Sequence, residues 1–173
     1  MDINDVYEPA EDTFTLSDVI LFDISKISQN TIILELGCGS GYISDQIHKK
    51  NNKYFIISTD INKKALYATN NKNKIRCNLL DNINQKYIDC VIFNPPYLET
   101  YDSCAIYDGR KYGREIIDEF VDKLDVKLVY LLVIRFNRPS EVIENLNNKG
   151  YKVEVMKERK IQGETIIILK CIK

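Results

Sequence analysis

Short, continuously apolar runs alternate with segments whose apolar residues recur every three or four positions, and this alternation persists along the chain. Runs of the first kind fall at 31–37 (TIILELG), 53–60 (KYFIISTD), 74–80 (KIRCNLL), 87–93 (YIDCVIF) and 127–136 (KLVYLLVIRF). Each is short enough for a strand, and four of the five are apolar enough to be buried on both faces. Between them lie helical patterns. Phe14, Leu16, Val19, Ile20, Ile24 and Ile27 define one face of an opening helix, and 38–50, 62–71, 112–124 and 139–150 predict four more, with Asn62 as an N-cap and Pro139 and Gly150 bracketing the last.

The pattern changes near the end. Two strand-like runs, 151–160 and 163–173, flank Gln162-Gly163 and predict an antiparallel hairpin. Five parallel strands separated by helices and followed by a hairpin predict an α/β fold: a Rossmann-like, seven-stranded, mostly parallel sheet of the class I methyltransferase layout, with helices on both faces. The third run is flanked by lysines and polar, which suits a sheet edge.

Composition narrows the partners. At 173 residues, 45% hydrophobic and 28% charged, the chain fits one soluble domain spanning 1–173. A net charge of −1 lacks the broad basic field that drives non-specific nucleic-acid binding, so a nucleic-acid partner is disfavoured. Five scattered cysteines without a C-x-x-C pair, and a single histidine, His48, argue for reduced thiols and no intrinsic zinc site. No apolar run reaches membrane-spanning length and the acidic N-terminus lacks a leader's apolar core, which places the protein in the cytoplasm, or otherwise the nucleus.

Three motifs carry candidate chemistry. Glu35-Leu36-Gly37-Cys38-Gly39-Ser40-Gly41 joins the first strand to its helix, where glycines let the backbone approach a ligand. Tyr42 replaces the third glycine of a dinucleotide fingerprint, and the resulting G-x-G-x-G with an acid two residues ahead resembles motif I of S-adenosylmethionine-dependent methyltransferases. That resemblance implies cofactor contacts at Glu35, Gly37 and Gly39; the alternative is an unliganded strand-to-helix turn. Asp60 ends the second strand about 20 residues on, where an acid accepts from ribose hydroxyls, although it could equally cap the helix at Asn62. After the third strand the family usually has an Asp beside adenine. Asn78, followed by Leu79, stands nearest that place here, with Asp81 as the competing assignment.

Asn94-Pro95-Pro96-Tyr97 is the most specific of the three. Two prolines fix the backbone after a buried strand and hold carbonyls in place. If the Asn94 side-chain oxygen and the Pro95 carbonyl each accept one N–H of a planar –NH2 group, its nitrogen is held in line with a methyl donor, while Tyr97 offers a π-face. The alternative is a proline turn without chemistry.

With residues 6–14 (VYEPAEDTF) and 109–120 (GRKYGREIIDEF), the chain resembles the eukaryotic and archaeal HemK-like methyltransferases, which modify the glutamine of the GGQ motif in class 1 release factors. The resemblance implies an N5-glutamine methyltransferase using S-adenosylmethionine, with Thr13 and Asn94 among its cofactor contacts, Asn94, Pro95, Pro96 and Tyr97 at the transfer step, and Arg110, Arg114 and Glu115 buttressing the substrate loop. Bacterial relatives carry an extra N-terminal helical domain for which this chain has no room. The resemblance implies instead a heterodimer with a small zinc-binding activator docked along the third-strand edge, acting on the release factor alone or with its GTPase partner. Adenine-N6 methylation of nucleic acid and lysine methylation of protein are the competing functions, because such a corner suits any planar amine.

Overall fold

In the computed structural model of the chain, which describes residues 6–28, 30–97 and 113–173, seven strands form one sheet. The elements, in chain order, are α1 (Glu11–Asp23), β1 (Ile32–Leu36), α2 (Tyr42–Lys50), β2 (Phe55–Asp60), α3 (Lys63–Ala68), β3 (Lys74–Arg76), β4 (Cys90–Phe93), α4 (Glu115–Lys123), β5 (Leu128–Ile134), α5 (Pro139–Asn148), β6 (Lys152–Ile161) and β7 (Glu164–Ile172). The sheet order is β3-β2-β1-β4-β5-β7-β6, and β1 to β5 are all parallel. The closing hairpin is antiparallel as predicted, its turn joining Ile161 to Glu164, and β7 rather than β6 pairs with β5.

Alternation along the central strands divides the core between two faces. Leu34, Leu36, Val91, Phe93, Val129, Leu131 and Val133 face α4 and α5, meeting Ile117, Phe120, Val142 and Leu146. Ile33, Cys90, Ile92, Tyr130, Leu132 and Ile134 face α1 and α2, meeting Leu16, Ile20, Ile43 and Ile47. One polar clamp fixes the end of α1 to this second face. The buried Asp23 accepts from Tyr130 Oη at 2.7 Å and pairs with Lys26 at 2.9 Å and with Lys170.

Two expected elements are shorter than their sequence patterns. β3 stops at Arg76, which pairs with Asp60 at the end of β2; the chain then turns, with Leu79 and Asn82 at positive φ, so 77–80 cannot extend the ladder. α3 is capped by Asn62, whose side chain accepts from Lys64 N at 2.9 Å, and gives way to extended backbone at Thr69. Gly109, Arg110 and most of the loop after Tyr97 lie outside the described residues, as does Cys104; the other four cysteines are unpaired thiols. Arg114 pairs with Asp118 at 3.0 Å and with Glu141, joining α4 to α5. Among the described residues no helix is long and apolar enough to cross a membrane, and no group of His, Cys, Asp and Glu could hold a metal ion.

Candidate active site

The C-terminal ends of β1, β2 and β4 open on one cavity of about 740 Å³, within the range of small-molecule sites. Its wall includes Thr13, Glu35, Gly37, Gly39, Asp60, Asn78, Leu79, Asn94, Pro95, Pro96 and Tyr97. All the residues singled out in the sequence for cofactor or transfer roles thus meet in one place, though they are spread over more than eighty positions. Asp81 does not line it. That carboxylate accepts from Lys123 Nζ at 2.6 Å and from Asn78 Nδ2 at 3.4 Å.

The glycine loop is held from two sides. At Gly41 φ is +80°, and a Cβ there would lie 2.1 Å from Thr69 Oγ1, so only glycine lets α2 start this close to the chain after α3. Asp60 holds the other side: Oδ2 accepts from Gly39 N at 3.0 Å and Oδ1 from Asn62 N at 2.8 Å. It therefore does serve the start of α3. Each oxygen nevertheless keeps a further lone pair, so the carboxylate can also accept from ligand hydroxyls. Burial pushes its carboxyl above the usual range, against the opposing backbone N–H groups of Asn62, Gly39 and Ile61.

Glu35 is buried between β1 and α2. Burial raises its carboxyl to about 7, although Ser44 N at 3.4 Å and Ser58 Oγ at 3.0 Å favour the charged form. A carboxylate so poorly solvated, on the wall of a cavity, suits a cationic ligand group.

The corner after β4 is braced by side chains with no motif of their own. Asn137 Nδ2 donates to the Tyr97 carbonyl and to the Gly113 carbonyl, each at 3.0 Å. Gly113 has φ +60°, and a Cβ there would lie 1.9 Å from the Tyr97 carbonyl oxygen. Facing the corner is Asp12, near the start of α1 and only 2% exposed. It accepts from Asn94 Nδ2 at 3.0 Å, Tyr97 Oη at 2.9 Å and Tyr7 Oη at 2.8 Å, with Thr13 Oγ1 at 3.4 Å. Burial, with Asp12 and Tyr7 alongside, raises the Tyr97 phenol and keeps it protonated.

Sequence reasoning missed Asp12 and Asn137. Asp12 is in the quoted segment 6–14, but there an acid in a first turn explains itself through the helix dipole. Its contacts to Asn94 and Tyr97 cross more than eighty residues. Asn94 Oδ1 has the opposite character: it is buried and has no hydrogen-bond partner.

A parallel sheet in this order with a closing antiparallel hairpin, and a glycine-loop cavity at its strand ends, define a class I methyltransferase. The chain matches the family model described as methyltransferase small domain over residues 15–160, and it belongs to that family. It is 32% identical to "Methyltransferase HEMK2" of Homo sapiens, covering 98% of this chain and 91% of that one. A putative protein N5-glutamine methyltransferase of Methanocaldococcus jannaschii is also 32% identical, over 95% of this chain and 90% of its own. Among solved structures, the E. cuniculi Mtq2–Trm112 complex, described as responsible for methylation of the eRF1 translation termination factor, matches with a TM-score of 0.87 and 43% identity, covering 97% of this chain and 98% of that one.

Proposed function

We propose that the protein transfers a methyl group from S-adenosylmethionine to the side-chain amide nitrogen of the glutamine in the GGQ motif of a class 1 release factor. The relatives carry the substrate class: one is named a protein N5-glutamine methyltransferase, and the Mtq2 complex is described by its action on eRF1. The observation in this chain that supports it most is the buried, unpartnered Oδ1 of Asn94, an acceptor on a residue that lines the cavity beside a rigid Pro-Pro corner.

The cavity residues fit the methyl donor. Asp60 would hold the ribose hydroxyls, Glu35 the methionine ammonium and Asn78 the adenine amino group. Asn78 gives its own N–H to Asp81, which leaves its oxygen as the acceptor. The donor supplies an electrophilic methyl sulfonium, and the protein's task is to aim a weak nucleophile at it. An amide nitrogen has a delocalised lone pair, so alignment matters more than a base. Asn94 Oδ1 and the Pro95 carbonyl would accept the two N–H groups, and the nitrogen, cationic once methylated, would lose one of these protons to solvent.

A partner fits the outer edge of the sheet. In the related complex Mtq2 is paired with Trm112. Here we take a small activator, zinc-binding as the family resemblance implies, to dock along β3. The two edges of this sheet differ: β6 carries lysine, glutamate or arginine at six of its ten positions, which blunts strand addition, whereas β3 is exposed throughout and has Ile75 (40% exposed), Ile61 (52%) and Tyr67 (73%) nearby.

The test is labelled-methyl transfer by the chain with its co-expressed partner to three substrates: release factor, release factor with the GGQ glutamine changed to alanine, and duplex DNA. Label on the first alone supports the proposal. Label on DNA, or equal label on both release factors, overturns it.

A further inference from the structure

We propose that Asp12 is the positioning residue that sets the polarity of the transfer corner; the inference rests on the methyl-transfer reading above. An asparagine amide is nearly symmetric in shape, and its two orientations present opposite chemistry. With Oδ1 toward the cavity the corner accepts N–H groups from a substrate amide; with Nδ2 toward the cavity it would repel them. Asp12 removes the choice. An ionised carboxylate only accepts, so the Asn94 group lying 3.0 Å from it must be the –NH2. Oδ1 is thereby turned away and left without a partner.

The same carboxylate accepts from Tyr97 Oη at 2.9 Å, so the ring against which a planar amide would lie is held by the group that orients Asn94. Tyr7 Oη, also bonded to Asp12, ties in the segment that precedes α1 and lines the cavity. Nothing in this arrangement requires Asp12 to touch cofactor or substrate. Its effect passes through Asn94 and Tyr97.

Asp12→Asn tests this because it keeps shape and removes the rule. Its amide can donate to Asn94 Oδ1, which lets the Asn94 amide turn over. We expect kcat for glutamine methylation to fall by about 10²-fold, while cofactor Kd and release-factor KM change by less than about threefold. The double variant Asp12→Asn with Asn94→Asp exchanges amide and carboxylate: position 12 now donates to position 94, which restores a donor–acceptor pair with its direction reversed, and position 94 presents only acceptors. It should recover at least tenfold over Asp12→Asn, whereas Asn94→Asp alone sets two carboxylates face to face and should not.

A second readout needs no activity. In the wild-type protein the Asn94 side-chain –NH2 should give one proton resonance shifted downfield and slow to exchange, and Asp12→Asn should move it. Wild-type turnover by Asp12→Asn, a loss confined to KM or cofactor Kd, no rescue in the double variant, or an Asn94 resonance with no sign of a hydrogen bond would each overturn the proposal. If wild type methylates no release factor, the functional reading fails, and the Asn94 resonance still decides the role of Asp12.

Discussion

If Glu35 holds the cofactor's ammonium, its burial makes cofactor binding proton-linked. Burial raises its carboxyl to about 7, so near pH 6 about nine-tenths of the molecules carry it protonated. If the cofactor's ammonium sits against it, the bound state needs the carboxylate, and binding at low pH must expel the proton. Apparent affinity should then weaken by about 16-fold between pH 7 and pH 5.5, following the ionised fraction, with close to one proton released per cofactor at the lower pH. Calorimetry in two buffers of different ionisation enthalpy measures both quantities. Glu35→Gln should bind more weakly at pH 7 and lose the dependence. The stability of the cofactor-free protein provides an independent sign check. An acid whose folded pKa exceeds its unfolded one holds its proton preferentially when folded, so stability falls as pH rises from about 4.5 to 7, by on the order of 3 kcal/mol, and cofactor restores it. Affinity that is flat from pH 5.5 to 7 with no proton release would refute the placement of the ammonium at Glu35.

Asp60→Ala should weaken cofactor binding by about 2 kcal/mol or more, read by calorimetry, and should lower thermal stability as well because Gly39 and Asn62 lose their acceptor; NAD should not bind. Asp23 has the opposite pH sign to Glu35: burial raises its carboxyl, but Lys170, Lys26 and Tyr130 outweigh this and bring it to about 2. It therefore contributes stability, on the order of 2 kcal/mol, that is present above about pH 3.8 and is lost on acidification toward pH 2, and denaturant unfolding of Asp23→Asn should lack that acid-labile part. Ile75→Arg, on the exposed β3, should leave the fold intact and abolish co-purification with a small activator; a complex of unchanged yield would move the docking surface elsewhere.

Much of the fold was legible because its signals are local. Runs such as IILEL and LVYLLVI can only be strands covered on both faces, and the gap between them is filled by helical spacing. The sheet order was not written in that way: β7 lies between β5 and β6, which follows from how the hairpin packs. The third strand is shorter than its run because Leu79 and Leu80 prolong the strand-like pattern, while the pairing ends with Asp60 and Arg76 and the chain turns at Leu79. In the site, the residues found early sit in contiguous motifs at strand ends. Asp12 and Asn137 were not found because the contacts that tie them to the corner, at Asn94 and Tyr97, lie 40 or more residues away, and one buried carboxylate joining three elements leaves no periodic trace.

The central claim is that Asn94 aims a glutamine amide at the methyl donor. Its most direct measurement is single-turnover methylation of a GGQ-containing release factor by wild type and by Asn94→Ala, with the methyl located by mass spectrometry and release-factor affinity measured separately. Methyl should appear on the glutamine side-chain nitrogen, with a rate reduced about 10²-fold or more in Asn94→Ala and nearly unchanged affinity. Transfer by Asn94→Ala at the wild-type rate, or methyl on a lysine in place of the glutamine, would contradict the claim.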